Sequence, residues 1–190
     1  MLQRMKRALV ALACVLVSAT VFGQGVVNFA NFGGNPIRYD PIGFPSKTNA
    51  PLEVGSFCVA LYWGVLGSSE DQLVQLGANG NVSPAFPIAG FFSVGGRTTG
   101  NATPRASWAT FQVKAWSKGF ASYEAAIASG DPTKFAGKSS VFDNYTGGGQ
   151  IVATLNMPGF TVVPIPEPGS LAIGILGAAA VLLFRRKKMF

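Results

Sequence analysis

The chain has 190 residues, of which 48% are hydrophobic and only 12% charged, and 15 basic against 8 acidic side chains leave a net charge of +7. That length suits one globular unit with appended segments. No histidine occurs anywhere, which excludes His-dependent zinc sites, Ser-His-Asp triads and Cys-His dyads.

The positive charge is not spread along the chain. Arg4, Lys6 and Arg7 lie at the start, and Arg185, Arg186, Lys187 and Lys188 lie at the end. Between them the basic and acidic side chains nearly balance. Phosphate binding needs Lys and Arg clustered on a folded surface, so a pI near 9.7 does not point to nucleic acid as a partner.

Residues 1–23 predict a secretory signal helix. A basic start is followed by a mostly apolar run, Ala8 to Phe22, without a polar face. Val21 and Gly23 occupy the positions that signal peptidase inspects, which places the cut before Gln24. Lipidation of Cys14 is the weaker option, because Ala11 stands where a large aliphatic residue is expected and apolar sequence continues past the cysteine.

The next segment, residues 24–157, predicts a β-rich extracytoplasmic body. Turn signals such as Asn79-Gly80, Gly95-Gly96 and Gly147-Gly148-Gly149 punctuate short apolar runs. Val54 to Val65 is the clearest strand: Phe57, Val59, Leu61 and Trp63 share one face, Cys58, Ala60 and Tyr62 the other. Both faces are apolar, as a strand covered on both sides requires. Val26 to Phe32, Ala89 to Val94, Trp108 to Trp116 and Ile151 to Leu155 are further candidates, with Phe160 to Val163 beyond them. One helix is expected from Ser122, as cap, through Ala128, with Gly130 as the stop and Phe120, Tyr123 and Ile127 as its core-facing stripe. The fold class is therefore all-β, a β-sandwich or jelly-roll-like module with one short helix.

Chemistry in the body is sparse. Cys58 is the lone cysteine left after signal removal, and its apolar strand makes it a small buried hydrophobe. The carboxylates are Asp40, Glu53, Glu70, Asp71, Glu124, Asp131 and Asp143. A glycosidase would need two of them about 5–10 Å apart across a sugar. Adjacent Glu70 and Asp71 read as a solvated loop pair, and Asp143-Asn144 lacks the spacing of a calcium loop. No catalytic residue, metal ligand or cofactor is assigned. The strand Ser107 to Trp116 places Trp108, Gln112, Lys114 and Trp116 on one side, which is what a sugar-binding face would present. The packing alternative, in which a helix or loop covers that side, is favoured because large aromatics are usually buried.

Residues 158–170 predict a Pro-rich linker, followed by Leu171 to Phe184 without a charge and by a basic end at 185–190. At about 1.5 Å per residue the apolar run covers about 21 Å of a hydrocarbon core of about 30 Å. Gly169 and Ser170 can lengthen it, and the flanking cations can snorkel, so 171–184 is read as a transmembrane helix with its basic end in the cytoplasm.

Pro166-Glu167-Pro168-Gly169-Ser170, an apolar segment with Gly174 and Gly177, and Arg185 to Lys188 together resemble the PEP-CTERM sorting signal of Gram-negative bacteria. The resemblance covers about the last 27 residues, with Ile165 where Val is frequent and with Met189-Phe190 following the basic cluster. It implies Pro166, Glu167 and Pro168 as a motif recognised by an exosortase, a membrane transpeptidase, and a periplasmic precursor later moved to the cell surface or matrix. A structural or adhesive role alongside exopolysaccharide is the expectation. The alternatives are a carbohydrate-active hydrolase using a carboxylate pair and an uncleaved single-span membrane protein.

Overall fold

A computed structural model describes residues 23–43, 45–77, 80–81, 88–148, 151–167 and 169. Within them the chain is mostly β, with two sheets and a single short helix. The large sheet runs β2 (Arg38–Tyr39), β11 (Thr161–Pro164), β8 (Phe135–Lys138), β7 (Trp108–Ser117), β3 (Phe57–Val65), β4 (Val74–Gln75). Off this path, β5 (Gly80–Asn81) pairs with β3 and β9 (Phe142–Tyr145) pairs with β7. The small sheet runs β10 (Ala153–Thr154), β1 (Val26–Ala30), β6 (Ser93–Thr98).

The antiparallel pair β3–β7 is the spine, in register from Phe57 opposite Ser117 to Val65 opposite Ala109. Phe57, Val59, Leu61 and Trp63 of β3 face the main core with Ala109, Phe111, Val113 and Ala115 of β7. Val27 and Phe29 of β1 belong to the same core, so the two sheets share it. Each such aliphatic or aromatic side chain contributes about 1.5–3 kcal/mol by leaving water. The other face of β3 is also dry: Ala60 and Tyr62 pack with Trp116, Ala126 and Ile165 in a second cluster, with Cys58 half-buried beside them. Two apolar faces on β3 thus have two cores to enter.

The helix α1 (Tyr123–Ser129) roofs this second cluster. Ser122 caps it, its hydroxyl accepting from the Ala125 N–H at 3.1 Å, and Gly130 ends it in the left-handed region at φ 60°. Its buried contact is Ala126, whereas Ile127, expected in the stripe, is exposed.

Besides shifts of a few residues at other strand ends, two segments differ from the sequence expectation. Of Ala89 to Val94 only the last two residues are strand, which begins at Ser93 and passes through Gly95-Gly96. Gly95, at φ 91°, sits at a bulge where Phe29 pairs with Gly95 but Ala30 pairs with Ser93. The expected linker 158–170 is also shorter, because the strand candidate Phe160 to Val163 inside it is realised, one residue further on. Thr161–Pro164 is strand β11, parallel to β2 and antiparallel to β8, and Ile165 is buried with its N–H on the Lys134 carbonyl at 2.9 Å. The prolines hold this segment extended, as expected, and an extended segment beside two open edges pairs with them. The signal segment through Phe22, the apolar run 171–184 and the basic end lie outside the described residues. Among the described residues no helix is long and apolar enough to cross a membrane.

Candidate functional site

Outside the second cluster, the large sheet carries a charged depression of about 440 Å³ lined by Tyr62, Glu70, Asp71, Leu73, Lys114 and Glu124. Alternation along β7 brings Lys114 to this side, and the β3 register sets Tyr62 near it. The helix α1 supplies Glu124, and a one-turn 3-10 helix, Glu70–Gln72, supplies the two acids on the opposite wall.

Lys114 is the hub. Its Nζ donates to Glu124 Oε1 at 2.9 Å and lies 4.0 Å from the Tyr62 ring centroid and 5.1 Å from that of Tyr123. The Tyr62 hydroxyl donates to the same carboxylate, 3.1 Å from Oε1 and 3.0 Å from Oε2. Lys138 Nζ donates to Glu70 Oε1 at 2.5 Å. Partial burial opposes charge on Glu124, but the hydrogen bonds from Lys114, the backbone and Tyr62 outweigh it and hold the carboxyl below its ordinary range. Lys138 does the same to Glu70, against partial burial and with help from Gln112. Burial first, then Glu124, pushes the Tyr62 hydroxyl far above its ordinary range. The depression therefore holds ionised carboxylates beside neutral phenols at neutral pH. Because the Glu124 side chain is 57% exposed, its ion pair contributes at most about 1 kcal/mol.

The four residues of the candidate sugar-binding face do not share one open surface. Trp116 is fully buried beneath α1, its Nε1–H donating to the Phe120 carbonyl at 3.1 Å. Gln112 is buried as well, and its amide donates to the Ser139 carbonyl at 3.0 Å. Lys114 is spent on Glu124. The face is covered because α1 and the Ser139 segment fold over it. Only Trp108 remains open, 55% exposed, and the structure adds a partner that the sequence reading missed. Tyr145 of β9 pairs with Trp108 across the sheet, 46% exposed, ring to ring at 5.8 Å and 72°. Beside them the Thr110 hydroxyl donates to Asp143 Oδ1 at 2.6 Å.

The signal that could have found Tyr145 is the alternation Phe142, Asn144 inward and Asp143, Tyr145 outward, masked by the glycines that follow. Pro166 and Glu167 are exposed immediately after buried Ile165. Pro168, Arg185, Arg186, Lys187 and Lys188 lie outside the described residues. Burial raises the Cys58 thiol above its ordinary range, so it is a poor nucleophile. Among the described residues no three acidic or Cys side chains gather closely enough to hold a metal ion.

No family model matches the chain, and neither a curated protein nor a solved structure matches it.

Proposed function

We propose that the chain is an exported envelope or matrix protein that binds extracellular polysaccharide through the exposed Trp108–Tyr145 pair and catalyses no reaction. The two sheets around one core are read as a β-sandwich or jelly-roll-like module. Delivery rests on the sequence of the ends: a signal segment for signal peptidase, then Pro166, Glu167 and Pro168 before an apolar run and Arg185 to Lys188, resembling a signal read by an exosortase-type enzyme. Binding rests on one observation, two adjacent aromatic rings left in solvent on a chain that buries its other tryptophans. Exposed ring faces stack on the apolar faces of sugars, and neighbouring hydroxyl and carboxylate groups fix their orientation.

The test is retention on a panel of immobilised polysaccharides, repeated with Trp108→Ala and Tyr145→Ala. Loss of retention in both supports the reading, and unchanged retention removes it. Intact-mass measurement of exported protein reads the tail: a terminus near Pro168 marks processing, and one at Phe190 marks an uncleaved single-span protein.

One observation favours the hydrolase alternative, since Glu70, Asp71 and Glu124 line the same depression. Against it, glycoside cleavage needs one protonated carboxyl of raised pKa, and Glu70 and Glu124 are both lowered. Reducing-end release that disappears in Glu124→Gln would reverse this preference.

A further inference from the structure

The large sheet has two unlike ends, and the described chain enters at one and leaves at the other. At the entry end, Gly25 donates to the Thr103 carbonyl and Val26 to the Gly147 carbonyl, next to the Trp108–Tyr145 pair. At the exit end, β11 finishes beside the close of β2 and the start of β8, with Val162 opposite Tyr39 and Pro164 opposite Phe135. The strand β7 runs between these ends, and from Trp108 to Trp116 it covers about 27 Å.

Two turns flank the exit. In the first, Asp40 Oδ1 accepts from the Ile42 N–H at 2.8 Å and the Gly43 N–H at 3.1 Å, fixing Ile42 at the tip. Gly43 packs so closely on the Pro164 ring that a Cβ there would lie 2.5 Å from it, so this turn is seated against the departing strand. Ile42 is nevertheless 90% exposed. In the second, Asp131 organises Thr133 and Lys134, and the Lys134 carbonyl accepts from Ile165. From Ile165, the last buried residue among those described, only residues 166–170 precede the apolar run, a reach of at most about 18 Å when fully extended.

We infer that this exit end lies on the bilayer, with Ile42 inserted among the lipid headgroups. The inference rests on the proposed membrane role of the tail. A short tether keeps the exit end near the surface, and an isoleucine held out of the fold gains by leaving water there. The partner is a lipid bilayer, and the Trp108–Tyr145 end then points away from it.

The test uses chain purified from membranes with its tail intact, reconstituted into vesicles of phosphatidylethanolamine and phosphatidylglycerol containing brominated lipid. Ile42→Trp is compared with Val74→Trp, which lies on β4 at the opposite edge of the sheet. The expected result is flotation of both variants with the vesicles and bromine quenching of the added emission in Ile42→Trp alone. Flotation with no quenching at 42, or equal quenching at 42 and 74, overturns the docking while leaving the anchor standing. Failure to float overturns the anchor and the docking together.

Discussion

Trp108 and Trp116 occupy the same face of the same strand, yet one is mostly in solvent and the other has no accessible surface. Side-chain alternation treats them alike, and what separates them is the covering. Over Trp116 lie α1 and the Phe120 carbonyl that its indole needs, whereas Trp108 has across the sheet the similarly exposed Tyr145. A strand pattern names the face, and a distant segment decides whether that face is core or surface.

The sharpest way to break this comparison is to truncate both rings. Trp116→Ala should cost about 3–5 kcal/mol, as for a large aromatic deleted from a core, measured by urea unfolding. Trp108→Ala serves as its opposite at the end of this series. If the two costs were equal, the division into a covered and an open end would be wrong.

Next in size is the cap that holds the cover in place. Ser122→Ala removes the acceptor for the Ala125 N–H and should cost about 0.5–2 kcal/mol, with faster amide exchange in α1 and increased exposure of Trp116 in fluorescence quenching. An unchanged Trp116 signal would mean that the roof does not depend on its cap.

Smaller still is the response to acid. Glu124 and Glu70 have folded carboxyls below their unfolded values, so their contribution to stability is complete above the ordinary carboxylate range near about 4.3 and is lost as pH falls through the folded values. With Glu124 largely exposed, the loss should stay within about 1 kcal/mol. Urea midpoints measured downward from neutral pH should fall less in Lys114→Met than in the parent, since the substitution removes the ammonium that lowers Glu124.

The smallest stability effect belongs to Trp108→Ala, within about 0.5 kcal/mol, as for an exposed site. Its consequence should appear instead as lost retention on polysaccharide. A large drop in stability would mark Trp108 as a packing residue after all.

Much of the frame was legible because it is local. The two apolar faces of Phe57 to Val65, the alternation of Trp108 to Trp116, and the Ser122 and Gly130 boundaries of the helix all follow from neighbouring residues. What escaped depends on partners far along the chain. The strands β2, β4 and β5 are two residues each, too short to show alternation. The strand candidate Phe160 to Val163 was visible, but not that it runs parallel to β2 and antiparallel to β8. The depression joins Tyr62, Lys114 and Glu124, and no spacing rule links residues 62 and 124. Gly95-Gly96 has the composition of a turn, but a bulge needs the same backbone freedom.

The burial of Ile165 has one more consequence. It is the last side chain of the second cluster, and the exposed Pro166 and Glu167 follow it directly. Any scission at or beyond Glu167 leaves in place every buried side chain of the described β framework. A cut only a few residues earlier would strip out both Ile165 and its strand. Among the described residues, packing thus sets how far back the chain can be shortened before the framework loses a buried side chain.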